Sequence, residues 1–88
     1  MSRRDLIGLV QMLRRLLRAA ARRFENEGDE PEFAAMFALH EALDEVLADA
    51  ASELRDRGQS WAAIGRAVGM TGEGARKRWD RERKEKAA

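Results

Sequence analysis

Apolar residues recur at helical spacing along most of the chain. Leu6, Val10, Leu13, Leu17, Ala20 and Phe24 alternate in steps of four and three, with Ile7, Leu9, Met12 and Leu16 widening the stripe. Such a run predicts an amphipathic helix of about 20 residues, roughly 30 Å long. The pattern breaks at "ENEGDEP", where Asn26 and Gly28 interrupt it, Asp29 or Glu30 can cap a new helix, and Pro31 suits a first helical turn. Phe33, Met36, His40, Leu43, Leu47, Ala50 and Leu54 then make a second seam that ends near Gly58. Beyond it the long helical runs give way to "SWAAIGRAVGMTGEGARKRW", a short apolar segment, a glycine and a basic run.

Two long amphipathic helices joined by a short break are expected to form an antiparallel hairpin over residues 1–57. The apolar face of the first helix is too broad for one neighbour, because Leu6, Leu9, Val10, Leu13, Leu16 and Leu17 spread around the cylinder. A second copy of the hairpin could cover the excess as a four-helix bundle, and a two-fold homodimer is the commonest closed arrangement. The alternative is that the C-terminal segment folds back over the same face. Size favours the first solution. An 88-residue chain has room for one modest core, so self-association is a natural source of added burial.

Charge changes the picture more than its total suggests. The net charge is only +1, yet residues 1–24 carry +6, residues 25–57 carry −9 and residues 58–88 carry +4. The arginine-rich face of the first helix (Arg14, Arg15, Arg18, Arg22, Arg23) is expected near Glu41, Asp44, Glu45 and Asp49 of the second. Exposed pairs of that kind are worth about 0 to 1 kcal/mol each, so they set register more than stability.

The segment from residue 58 onward parses locally. Ser60 is a good N-cap for a short helix carrying Trp61, Ile64, Ala67 and Val68, and Gly69 can take the positive φ at which that helix stops. Met70 is an apolar plug, Thr71 caps the next helix, and Ala75 and Trp79 share a face four residues apart. Gly65 offers the small residue that a close helix crossing needs. Helix, glycine turn and basic helix make a helix-turn-helix signature. Gly72 and Gly74 are poor helix formers, each costing roughly 1 kcal/mol against Ala, which suggests a helix that orders fully only on its ligand.

On these residues the chain resembles the helix-turn-helix of the sigma-70 region-four superfamily and small actinobacterial-type DNA-binding proteins with a Ser-Trp-Ala-x-Ile-Gly-Arg-Ala segment. The resemblance covers residues 58–83 only, with Gly65, Gly69, Met70, Ala75 and Trp79 at the matching positions. It implies double-stranded DNA as the partner, read in the major groove by the second helix. Thr71, Gly72, Glu73, Arg76, Lys77 and Asp80 are then the groove-side residues, Arg76 suited to guanine and Glu73 able to accept from cytosine. Lys77, Arg78, Arg81 and Lys84 are expected at phosphates, and Gln59 and Ser60 at a further phosphate beside the start of the short helix.

The other features have plainer readings. Trp61 and Trp79 sit at apolar helical spacing and are read as core rather than as stacking platforms. "HEALD" lacks the second His of a metalloprotease helix, and the chain has one His and no Cys, so no metal and no cofactor is expected. His40 is read as a core or edge histidine. No nucleophile and base are placed together, so no catalytic residue is expected and the protein is not read as an enzyme. No run approaches the length of a membrane span and no signal-peptide core is present, which suggests a cytoplasmic, nucleoid-associated protein. The sequence thus predicts an all-α chain: a dimerising helical hairpin (1–57) and a DNA-binding helix-turn-helix with a basic tail (58–88), together one compact domain. The expected role is a small dimeric transcriptional regulator or architectural chromosome binder. The alternative is a protein-interaction module, a polymerase-binding adaptor or antitoxin, that works through the hairpin.

Overall fold

A computed structural model describes residues 3–81. Among the described residues the chain is all-helical, with four helices and no strand: α1 (Arg3–Glu27), α2 (Glu30–Asp56), α3 (Trp61–Ala67) and α4 (Gly72–Trp79). At 25 residues, α1 is longer than its apolar stripe. Arg and Glu are good helix formers, so the polar residues at both ends extend it.

The chain divides into two compact units, one up to Phe37 and one from Ala38 onward. In the first unit the α1–α2 connection is short and built from its own residues. The Gly28 N–H donates to the Phe24 carbonyl at 2.8 Å, and a Cβ on Gly28 would overlap the Phe24 ring, so any other residue there must displace that ring. Phe24 lies 6.4 Å from Phe33, centroid to centroid. Asp29 is the residue that caps α2, accepting from the Glu32 N–H at 3.2 Å. Leu6, Leu9, Val10, Leu13, Leu16 and Leu17 remain between 43% and 61% exposed in the single chain.

The second unit holds the buried core. Ala48 and Ala51 of α2, Ile64 of α3, and Ala75 and Trp79 of α4 form it, with Trp61 and Met70 packed against it. Ala48 and Ala51 stand three apart on one face of α2, where side chains of a single methyl let neighbouring backbone come close. The division between the units therefore falls inside α2, well before the Gly58 turn at which the helical periodicity ends. Val68 does not belong to the apolar face of α3. It is the C-cap residue and is 57% exposed. His40 is exposed as well rather than part of a core.

Candidate nucleic-acid interface

Two turns of the same design bracket α3. At the end of α2, Gly58 takes φ 93°, its N–H donates to the Arg55 carbonyl at 2.9 Å, and the Gln59 N–H donates to the Leu54 carbonyl at 3.0 Å. At the end of α3, Gly69 takes φ 75°, its N–H reaches the Arg66 carbonyl at 3.4 Å, and the Met70 N–H donates to the Gly65 carbonyl at 2.8 Å. Both are Schellman caps, in which a left-handed glycine lets two N–H groups turn back onto the last carbonyls. The apolar residue after Gly69, Met70, packs on the core, as that motif favours.

Side-chain caps start the helices. Ser60 Oγ accepts from the Ala63 N–H at 3.0 Å, and Thr71 Oγ1 accepts from the Gly74 N–H at 3.0 Å. Gly65 and Gly72 are dictated by space. A Cβ on Gly65 would lie 2.6 Å from the Thr71 carbonyl oxygen and 2.7 Å from that of Met70, so the close approach at Gly65 is to the turn. The helix-to-helix approach is at Gly72, where a Cβ would come within 2.9 Å of Ala62 Cα and N. Gly72 is therefore the contact residue between α4 and α3, and α4 is helical from that position on.

With Ala75 and Trp79 turned inward, helical geometry puts Glu73 and Lys77 on the opposite side of α4 and Arg76 on its flank, where it is half-buried. Arg76 and Glu73 grip each other two-fold, Nε donating to Oε2 at 3.1 Å and Nη2 to Oε1 at 2.8 Å. Hydrogen bonding to Glu73, with the charges of Glu73 and Asp80, raises the Arg76 pKa above its ordinary value. Lys77 is exposed and has no ion pair among the described residues. Asp80 is the C-cap residue of α4, its N–H donating to the Arg76 carbonyl.

The remaining arginines turn to α2. Arg78 Nε donates to Asp44 Oδ1 at 3.2 Å, and its guanidinium lies 5.5 Å from the Trp79 ring centroid. Arg81 pairs with Asp49 and donates to the Glu45 carbonyl at 3.4 Å. Two of the four acids expected near the arginines of α1 thus meet arginines at the other end of the chain. Both arginines, expected at phosphates, are held by carboxylates. Lys84 lies outside the described residues.

Gln59 is part of the α2 cap, with its carbonyl accepting from Arg55 Nη1 at 3.0 Å, and Arg55 lies 5.6 Å from the centroid of Trp61. Nearby a cleft of about 300 Å³ is bordered by Trp61, Trp79, Arg55, Asp56, Asp80 and Arg81. Nothing in the local sequence pattern marks it, since its walls come from the end of α2, the start of α3 and the end of α4. The buried Trp79 Nε1 has no acceptor among the described residues. Among the described residues no His, Asp and Glu grouping is able to hold a metal, and no helix is long and apolar enough to cross a membrane. Compared with known proteins, the chain matches no family model, no curated protein and no solved structure.

Proposed function

We propose that the second unit binds double-stranded DNA, with α3, the Gly69 turn and α4 as a helix-turn-helix and α4 as the helix that enters the major groove. The observation that carries this reading is how α4 is mounted. Ala75 and Trp79 anchor one side of it, Gly65 and Gly72 admit close backbone contact with the turn and α3, and Glu73 and Lys77 are left on the outer side, with Arg76 on the flank gripping Glu73.

The chemistry on that outer side suits base edges. The Arg76 fork that spans both Glu73 oxygens has the geometry to span guanine O6 and N7, and the Glu73 carboxylate freed by that exchange can accept from cytosine N4. Thr71 uses its oxygen to cap α4, leaving its O–H to donate to a phosphate. Lys77, and Arg78 and Arg81 once released from α2, supply phosphate contacts; Lys84 belongs to the same group. These are positioning contacts that carry no sequence information of their own.

The assembly in this reading is a homodimer made through α1, whose six leucine and valine positions stay exposed in the single chain. Two copies of α4 related by a two-fold axis would meet an inverted repeat with half-site centres about 34 Å apart, one helical turn, or a multiple of it. The role is that of a small transcriptional regulator or an architectural chromosome binder. Fluorescence anisotropy with labelled duplexes over a salt series tests the reading: affinity falling steeply with salt supports it, because bound cations release counterions from DNA. A chain that binds no duplex at low salt overturns it. That result would favour a protein-interaction module, such as a polymerase-binding adaptor or antitoxin, for which the exposed apolar residues of α1 together with Phe33 and Phe37 are the supporting observation.

A further inference from the structure

We infer that Asp44 and Asp49 of α2 are built-in competitors of DNA phosphate: they occupy the guanidinium groups of Arg78 and Arg81 in the free protein and must be displaced when DNA binds. The inference rests on the DNA-binding reading above and goes beyond it, since it assigns a role to two acids on a different helix from the one that enters the groove.

Three observations lead to it. First, both pairs join residues more than thirty positions apart, Arg78 to Asp44 and Arg81 to Asp49. They are tertiary contacts, not the incidental neighbours of one helix. Second, a carboxylate offers a guanidinium what a phosphate offers, a negative charge and acceptor oxygens at charge-assisted hydrogen-bond distance. Third, the pairs are open to solvent, with side-chain exposures of 45% and 35% for Arg78 and Asp44 and 49% and 60% for Arg81 and Asp49. Exposed pairs hold weakly and are screened by salt, so they yield to a dense array of phosphates.

Exchange has a thermodynamic signature. An arginine that moves from water to a phosphate releases condensed cations from DNA. An arginine that moves from a carboxylate leaves behind an acid, which gathers cations and partly cancels that release. Aspartates close to the duplex also repel it. Asp44 and Asp49 therefore lower affinity and flatten its salt dependence.

The test compares the full-length protein with its D44N/D49N variant and a charge-matched control, E30Q/E41Q, on a labelled 20-base-pair duplex of random sequence. In D44N/D49N the slope of log affinity against log salt should steepen by up to about 1.8, given roughly 0.9 per phosphate neutralised by each of the two arginines. Affinity at moderate salt should rise several-fold above that of the control. An unchanged slope with weaker binding and a lower melting temperature would overturn it, because the pairs would then merely brace α4. A gain matched by the control would overturn it too, as an effect of net charge alone. Failure of all three proteins to bind duplex would overturn the DNA-binding reading and this inference with it, whereas binding by all three with equal slopes removes only the inference.

Discussion

Replacing Gly65, Gly72 and Gly74 one at a time with alanine separates backbone packing from helix propensity. Propensity alone favours alanine by up to about 1 kcal/mol at each helical site. The surroundings differ sharply. At Gly65 the new methyl would lie 2.6 to 2.8 Å from carbonyl oxygens and carbon of Met70 and Thr71, and Thr71 is the residue whose carbonyl accepts from the Ala75 N–H at 3.0 Å. Yielding there shifts the whole first turn of α4. At Gly72 the methyl would lie 2.9 Å from Ala62 backbone and 3.2 Å from the Trp61 carbonyl carbon, so α3 and α4 must separate slightly. At Gly74 the nearest atom is Thr71 Oγ1 at 3.1 Å, which need give only slightly and can keep its cap on the residue 74 N–H. Overpacking against rigid neighbours costs about 1 to 3 kcal/mol. Net of propensity, G65A should lose about 2 kcal/mol and G72A about 1 kcal/mol, with G74A within about 0.5 kcal/mol of the parent. Trp61 and Trp79 are the only tryptophans and both lie in the second unit, so thermal melts followed by tryptophan fluorescence read that unit alone. One kcal/mol corresponds to a shift of at least about 4 to 8 °C in a unit this small. Equal stabilisation by all three substitutions would refute the packing argument.

Three further outcomes are expected. W79F should stay within about 1 kcal/mol of the parent, because the lost ring volume is offset by removing an indole N–H without an acceptor, whereas W79A should cost about 3 to 5 kcal/mol in denaturant titrations. Arg76→Ala should weaken a selected duplex about tenfold and relax one base position, while Lys77→Ala should weaken all duplexes alike in a panel of binding isotherms. L13E should convert a dimer to a monomer in sedimentation, because a carboxylate cannot be buried unpaired in an apolar interface.

The features legible in the sequence are those set by near neighbours. The Ser60 and Thr71 caps, the left-handed Gly69, the Met70 plug and the inward Ala75 and Trp79 all follow from residues within a few positions of each other, and all stand where the pattern puts them. Gly72 shows the limit. Propensity marks it as a helix breaker, but its reason is Ala62, ten residues away on another helix. The acids of α2 show the same limit at longer range, since nothing in the spacing of Asp44 and Asp49 reveals that Arg78 and Arg81 will meet them. The role of Ala48 and Ala51 was equally hidden, because alanine suits any face of a helix and carries no periodic signal of burial.

A core assembled from Ala48, Ala51, Ile64, Ala75 and Trp79, with no large side chain wholly sealed from solvent among the described residues, has a thermal consequence. Heat capacity rises on unfolding mainly because apolar surface becomes hydrated, at about 12 to 15 cal/mol/K per residue in ordinary domains. Methyl groups and glycine backbone expose little such surface, so the second unit should fall below that range. Its enthalpy of unfolding should be small for the same reason, and its curve of stability against temperature shallow. A calorimetric trace of this unit should accordingly be low and wide, with the folded fraction declining gradually over tens of degrees instead of collapsing within a few.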